Sequence, residues 1–190
     1  MGFAYKFSTP HGVYFVTTAV VQWVDAFTRY QYCDIVVNSL KFCIENKGLV
    51  LHAWVIMPNH IHLIISRRGE PGFGDIMRDF KKFTSAQIAK EIQTIPESRR
   101  DWMMWLFKSA GEQNSQNKDF QFWQQENHPI ELTSAEFTQQ KLNYIHNNPV
   151  TARIVDTPER YIYSSAKNYY GEEGLLPIEL LDNVFYARYI

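Results

Sequence analysis

Two adjacent runs of strand-forming residues constrain this chain more than any other feature. Leu49 to Met57 (LVLHAWVIM) and His60 to Ser66 (HIHLIIS) are separated only by Pro58 and Asn59. Both runs are rich in β-branched and large apolar residues, and Pro-Asn is turn chemistry, so the pair predicts an antiparallel hairpin. Upstream, Gly12 to Val21 (GVYFVTTAVV) reads as another strand. Tyr30 to Asn46 repeats Ile35, Val36, Leu40, Cys43 and Ile44 at helical spacing, with Gly48 as a C-terminal stop. Asp75 to Ile92 predicts a second helix through Ile76, Phe80, Phe83, Ile88 and Ile92, and Pro96 to Ala110 a third.

Gly111 to Asp119 (GEQNSQNKD) reads as a mobile polar loop and Phe120 to Gln124 as a short strand. Thr133 followed by Glu136 has the capping-box pattern. It opens a helix that Pro149 ends near Asn147. The order strand, helix, hairpin, helix, strand, helix predicts an α+β fold of the ferredoxin-like kind. That is an antiparallel sheet with helices mainly on one face. Such a fold hosts many activities, so function has to be read from the site.

The length of 190 residues and the 45% hydrophobic content suit one globular domain, expected over residues 1–170, with an acidic tail over 171–190 packed on it or extending from it. The formal net charge of −1 provides no overall attraction to phosphate. Charge is uneven, however. Arg67, Arg68, Arg78, Lys81, Lys82, Lys90, Arg99 and Arg100 outnumber the acidic residues of their stretch, whereas the tail sets Glu172, Glu173, Glu179 and Asp182 against Arg188. Cys33 and Cys43 stand ten apart in one predicted helix, too far to bridge. Without a secretory segment or a membrane-length apolar run, a reduced cytoplasmic protein is expected, with no membrane partner.

Within the hairpin, His60 and His62 point to the same face of one strand because side chains alternate. Imidazoles about 7 Å apart along a strand can converge on one cation. An H-x-H pair alone is short and recurs by chance as two ordinary histidines. The apolar flank of Ile61, Leu63, Ile64 and Ile65 makes two polar ligands there harder to explain as packing. Downstream, Tyr144 and Asn148 share a helix face. An amide oxygen is a reasonable metal ligand, and it would hold Tyr144 one turn from a metal-bound phosphate. Tyr163, Tyr169 and Tyr170 are rival nucleophiles on spacing alone, and Tyr144 can equally be a packing residue near a helix end.

Met57-Pro-Asn-His-Ile-His62 and Tyr144-Ile-His-Asn-Asn-Pro-Val150, together with Phe80-Lys-Lys-Phe-Thr-Ser85 and Tyr161-Ile-Tyr-Ser-Ser165, resemble the REP-associated tyrosine transposases. These belong to the single-tyrosine HUH (IS200-like) transposases, and the resemblance runs from about Gly12 to Tyr170. It implies an enzyme that nicks and rejoins single-stranded DNA, often at hairpin-forming repeats, through a covalent 5′-phosphotyrosine. Carried over by position, His60, His62 and Tyr144 are the catalytic set. His60, His62 and Asn148 would hold Mg2+ or Mn2+. The family includes both monomers and homodimers.

Arg67, Arg68, Arg78, Lys81, Lys82 and Arg153 are candidate phosphate contacts, or else solvated surface charges. Trp123 can stack on an unpaired base or fill the core. His128 sits near the site or orders a loop. Ser164-Ser165 is read as an N-cap and helix start, with nothing catalytic required of it. Two other readings remain. One is a hairpin-binding protein that no longer cuts; the other is a metal-dependent hydrolase in which the histidines activate water and Tyr144 is a bystander.

Overall fold

In a computed structural model, which describes residues 7–114, 120–182 and 184, the chain forms a single four-stranded sheet. The strands are β1 (Tyr14–Ala19), β2 (Leu49–Met57), β3 (His60–Arg67) and β4 (Ile130–Glu131). Their spatial order is β2-β3-β1-β4, and every pairing is antiparallel. The helices are α1 (Tyr30–Asn46), α2 (Phe73–Thr94), α3 (Arg100–Glu112), α4 (Ala135–Thr151) and the short α5 (Ala166–Tyr169). This is the ferredoxin-like arrangement expected from the element order.

Strand parity divides the sheet into two faces. Tyr14, Val16, Trp54, Ile56, Ile61, Leu63 and Ile65 form the main core with α1, α2 and α3. Phe15, Ala53, Val55, Met57 and Ile64 face the other way and are covered by Leu142 and Ile145 of α4. Three of the long helices therefore lie on one face, and α4 lies alone on the other. Cys33 and Cys43 are free and buried on the inner side of α1.

The hairpin forms where the two runs predict it, with His60 opposite Met57 and His62 opposite Val55. Gly48 ends α1 at a φ of 67°, and a Cβ there would lie 2.1 Å from the Arg68 carbonyl oxygen. Only glycine fits such a left-handed position against the neighbouring backbone.

Three local expectations need correction. Phe120 to Gln124 is not a strand; it makes one isolated bridge, Trp123 to Val20, and the fourth strand is the two-residue β4. Phe122 and Trp123 are held instead by the core, where the Trp123 indole N–H donates to Thr84 at 2.8 Å. Gly111 and Glu112 close α3 rather than opening a loop, while residues 115–119 of the expected mobile segment lie outside the described residues. The cap of α4 is Ser134, not Thr133, and its side chain accepts from the Phe137 N–H at 3.1 Å.

The helix also runs through Pro149 to Thr151. Proline removes a donor that only the Ile145 carbonyl would have used, and Pro149 is itself buried in the last turn. Packing there outweighs the single lost bond.

The described tail residues fold back on the outer edge of β2. The Glu179 N–H donates to the Leu51 carbonyl at 2.9 Å and its carbonyl meets His52 Nδ1 at 2.8 Å, at the bulge between Leu51 and Ala53. Leu176 is buried beneath this stretch. Among the described residues no helix is long and apolar enough to cross a membrane.

Candidate functional site

Sheet register creates the site. His60 and His62 leave β3 on the α4 face, where their cross-strand neighbours on β1 are Ala19 and Thr17. The two rings stand 4.6 Å apart centre to centre. The phenol ring of Tyr144, carried by α4, lies 5.1 Å from the His62 ring, and Phe15 stacks on His62 at 5.2 Å. Tyr144 keeps half its surface exposed. The histidines and the tyrosine meet within one chain.

Each imidazole is held by its Nδ1 atom. His62 Nδ1 lies 2.8 Å from Thr17 Oγ1. His60 Nδ1 lies 2.7 Å from Asn59 Oδ1 and donates to it, because an amide oxygen can only accept. The Asn59 amide is oriented in turn by donating its Nδ2 to Asp25 at 2.8 Å. The Pro58 and Asn59 carbonyls accept from Phe27 and Val20 at 2.8 Å each. The Pro-Asn turn thus orients the first histidine as well as reversing the chain. That leaves Nε2 as the second nitrogen of each ring. His62 Nε2 is buried and has no hydrogen-bond partner among the described residues.

An orphaned nitrogen of this kind is costly unless it takes a ligand. Burial depresses the His62 pKa to about 3, helped by the neighbouring His60 and Lys141, and burial alone depresses that of His60. Both imidazoles are therefore neutral at ordinary pH, the form that binds metal.

No group of three or more His, Cys, Asp or Glu that could hold a metal occurs among the described residues. A third protein donor has to be of another type. Asn148 lies one turn beyond Tyr144 on α4, half-buried, which suits an amide oxygen serving that purpose. Two neutral imidazoles, one of them orphaned, are donors of the kind a divalent cation takes.

The helix carrying Tyr144 is tied down by its buried stripe and by a serine expected to do no more than cap a helix. Leu142, Ile145, His146 and Pro149 form its buried stripe. His146 is fully buried, its pKa pushed down to about 3 by that burial, and its Nε2 meets Ser165 Oγ at 2.7 Å. Ser165 Oγ also accepts the Trp54 N–H at 2.9 Å, so Ser165 joins α4 to the outer edge of β2. The stretch from Tyr163 to Ser165 pairs along that edge through Tyr163 O to Ile56 N and Ser165 N to Trp54 O, both 3.0 Å. The Ser-Ser pair is therefore mainly a seam between elements, although Ser164 Oγ does accept from the Ala166 N–H at 3.1 Å at the start of α5.

Lys141 was also missed. Its ammonium lies 4.8 Å from the Phe15 ring centre and 5.8 Å from that of Tyr144. The only sequence signal for it is helical spacing, three residues before the tyrosine.

The rival tyrosines are occupied elsewhere. The Tyr163 hydroxyl donates to Asp34 at 3.0 Å, and that of Tyr169 donates to the His52 carbonyl at 3.2 Å. Tyr170 caps the end of α5.

The basic candidates divide into two groups. The Lys81 ammonium is largely buried and donates to the carbonyls of Gln124, Gln125 and Glu126 at 2.8, 3.2 and 3.3 Å, and burial brings its pKa down to about 8. Arg67 donates to the Gly69 carbonyl and lies over the Phe73 ring. Arg68 pairs with Glu179, and Arg78 with Asp75 and Asp79. Lys82 and Arg153 are exposed, the latter in a left-handed conformation just past α4. His128, at a φ of 40°, lies near Glu126 in the loop before β4, with its Nδ1 3.6 Å from that carboxylate.

Comparison with known proteins agrees with this geometry. Residues 25–115 match the family model described as "Transposase IS200 like". No curated protein matches the sequence. Among solved structures, a REP-associated tyrosine transposase bound to a REP hairpin shares the fold at a TM-score of 0.61 and 17% identity, covering 100% of this chain and 99% of that one. A chain described as a transposase of Deinococcus radiodurans R1 aligns over 77% of this chain and 95% of its own, at 15% identity and a TM-score of 0.44.

Proposed function

Residues 25–115 match the IS200-like transposase family model, and from that match we propose that this chain is a tyrosine DNA strand transferase acting on single-stranded, hairpin-bearing DNA. The observation that carries the reading is the buried His62 Nε2, without a hydrogen-bond partner among the described residues, in a ring that lies 5.1 Å from the Tyr144 ring of the facing helix. Neither packing nor simple binding needs an orphaned imidazole beside an exposed phenol. A solved structure of the same fold, a REP-associated tyrosine transposase, was bound to a REP hairpin, which makes hairpin-forming repeats the substrate to try first.

His60, His62 and the Asn148 amide oxygen would hold Mg2+ or Mn2+. Such an ion, when bound, neutralises charge on the scissile phosphate and fixes its orientation. The protein's own residues do the rest. The Tyr144 hydroxyl oxygen attacks phosphorus and the P–O3′ bond breaks. The phenolic proton passes to water, while the departing 3′ oxygen takes one up. The products are a 3′-hydroxyl and a 5′-phosphotyrosine.

Bond energy is conserved, so a 3′-hydroxyl can later attack the same phosphorus, rejoin the strand and release Tyr144. Lys141, one turn before the tyrosine, adds positive charge where the phosphate must sit. Lys82 and Arg153 are exposed and available to the DNA backbone. Arg68 and Arg78 join them when their carboxylate partners are displaced.

The test is a covalent-adduct assay. Labelled single-stranded hairpin DNA and Mn2+ or Mg2+ are incubated with wild type, Tyr144→Phe and His60→Ala, then resolved on a denaturing gel. A shifted band in wild type that is lost in both variants is expected. Cleavage persisting in Tyr144→Phe without an adduct would identify a hydrolase. Hairpin binding indifferent to metal and to both substitutions, with no cleavage, would identify a binding protein.

A further inference from the structure

Beside the histidine pair the chain does something unusual just after β1. Val21 and Val24 are buried, and their backbones are pinned by the Val21 N–H to Phe122 O bond at 2.8 Å and the Val24 N–H to Val21 O bond at 3.4 Å. Between them Gln22 and Trp23 both adopt left-handed backbone, with φ of 55° and 54°. Glycine takes this conformation freely; a tryptophan does not, and such strain persists only where the surroundings impose it.

The strained backbone turns a large aromatic side chain outward. Trp23 is 56% exposed, although burial is what usually makes tryptophan worth having. A single exposed aromatic is ordinary on a protein surface. This one stands 5.8 Å from the His60 ring, approached edge to face at 72°. Most of the indole is therefore open to solvent at the margin of the catalytic pocket.

We propose that Trp23 is a stacking platform for an unpaired nucleobase of the single-stranded DNA that crosses the histidine pair. Strand transfer requires the nucleotides around the scissile phosphate to be unpaired and held in one register. Phosphate contacts alone do not set that register, because every phosphate is alike. An exposed indole binds any base by its π-face and excludes water from it. Gln22, its chain neighbour, lines a crevice of about 640 Å³ together with Gln113, Gln124 and Gln125. Amide side chains both donate and accept, which suits the edge of an unpaired base better than a phosphate. Trp123, the other tryptophan weighed for stacking, is buried in the core, and Trp23 takes that role.

The inference rests on the strand-transferase reading for its substrate, but its test does not depend on cleavage. Fluorescein-labelled oligothymidylate and an abasic phosphodiester oligomer of equal length are titrated with wild type, Trp23→Ala and Trp23→Tyr, in the presence of Mn2+. Wild type should prefer the oligothymidylate. Trp23→Ala should weaken that binding on the order of tenfold while leaving the abasic oligomer unchanged, and Trp23→Tyr should restore most of the loss.

Melting temperatures of the variants should stay close to wild type, since more than half of Trp23 is exposed. Equal affinity of wild type for both oligomers, equal weakening of both by Trp23→Ala, or no weakening at all would overturn the proposal. A chain that forms no adduct but shows the base-dependent loss would retain the platform and lose only the strand-transferase reading.

Discussion

Replacing Ser165 with alanine should be expensive out of proportion to its size. Its hydroxyl accepts the Trp54 N–H at 2.9 Å, meets His146 Nε2 at 2.7 Å and lies 3.3 Å from the Trp54 carbonyl, all in fully buried surroundings. Alanine keeps nearly the same shape, so cavity formation contributes little. What changes is that a backbone donor and an imidazole nitrogen lose their partner where water cannot replace it.

Each such orphan costs about 1–3 kcal/mol, offset in part by no longer burying the hydroxyl, so a net loss of about 2–4 kcal/mol is expected. His146 lies two residues beyond Tyr144, and α4 would be released from the edge of β2. Adduct formation should fall along with stability. Urea unfolding measures the first quantity and the labelled-hairpin gel the second, with hydrogen exchange at the Trp54 amide as the local report. Ser164→Ala is the control: among the described residues its hydroxyl accepts from Ala166 alone, at 3.1 Å, and it should cost about 1 kcal/mol or less. A Ser165→Ala loss below about 1 kcal/mol, with unchanged exchange at Trp54, would refute the idea that this hydroxyl anchors the helix that carries Tyr144.

Other perturbations test separate parts of the account. Lys81→Met removes an ammonium shared by three backbone carbonyls. It should lower stability by about 1–3 kcal/mol, seen in thermal unfolding, while weakening DNA less than Lys82→Ala does. Lys141→Gln should slow adduct formation about tenfold, the equivalent of about 1.4 kcal/mol of lost charge stabilisation, and Lys141→Arg should recover most of it. An unchanged rate in Lys141→Gln would remove that residue from the mechanism.

Acid should destabilise the metal-free protein well above its carboxylate range. Burial holds His62 and His146 near about 3, far below the ordinary 6.5, so the unfolded chain takes protons that the folded one refuses. Their contribution is complete above pH 6.5 and is lost as pH falls toward 3, by about 1.4 kcal/mol per pH unit for each imidazole. Urea midpoints measured at several pH values across that window should show the slope. His146→Gln should reduce it by one histidine's worth, and a flat profile would contradict the burial of both rings.

The local pattern of this chain by itself determined the hairpin, the three long helices over the main core and the adjacency of His60 and His62. Strand parity and helical spacing are properties of neighbouring residues, and they survive whatever the rest of the chain does. Length and apolar content sufficed for a single sheet with helices, and the order of elements for its ferredoxin-like topology.

Tertiary structure decided the rest, because the remaining contacts join residues that no period links. Sheet register sets Thr17 opposite His62, and the Pro-Asn turn reaches Asp25 through the Asn59 amide. The β2 edge finds Ser165, which in turn finds His146. Packing on the second face carries α4 through Pro149, against the local preference for stopping there, and so extends the helix past Asn148.

Long-range packing also decided the fate of similar side chains. Trp123 entered the core while Trp23 was held out by a backbone strained at two consecutive residues. Lys81 turned inward to three carbonyls while Lys82, its neighbour, stayed in solvent. A residue's type records what it is able to do; burial and partners, which depend on the whole fold, select which of those things it does.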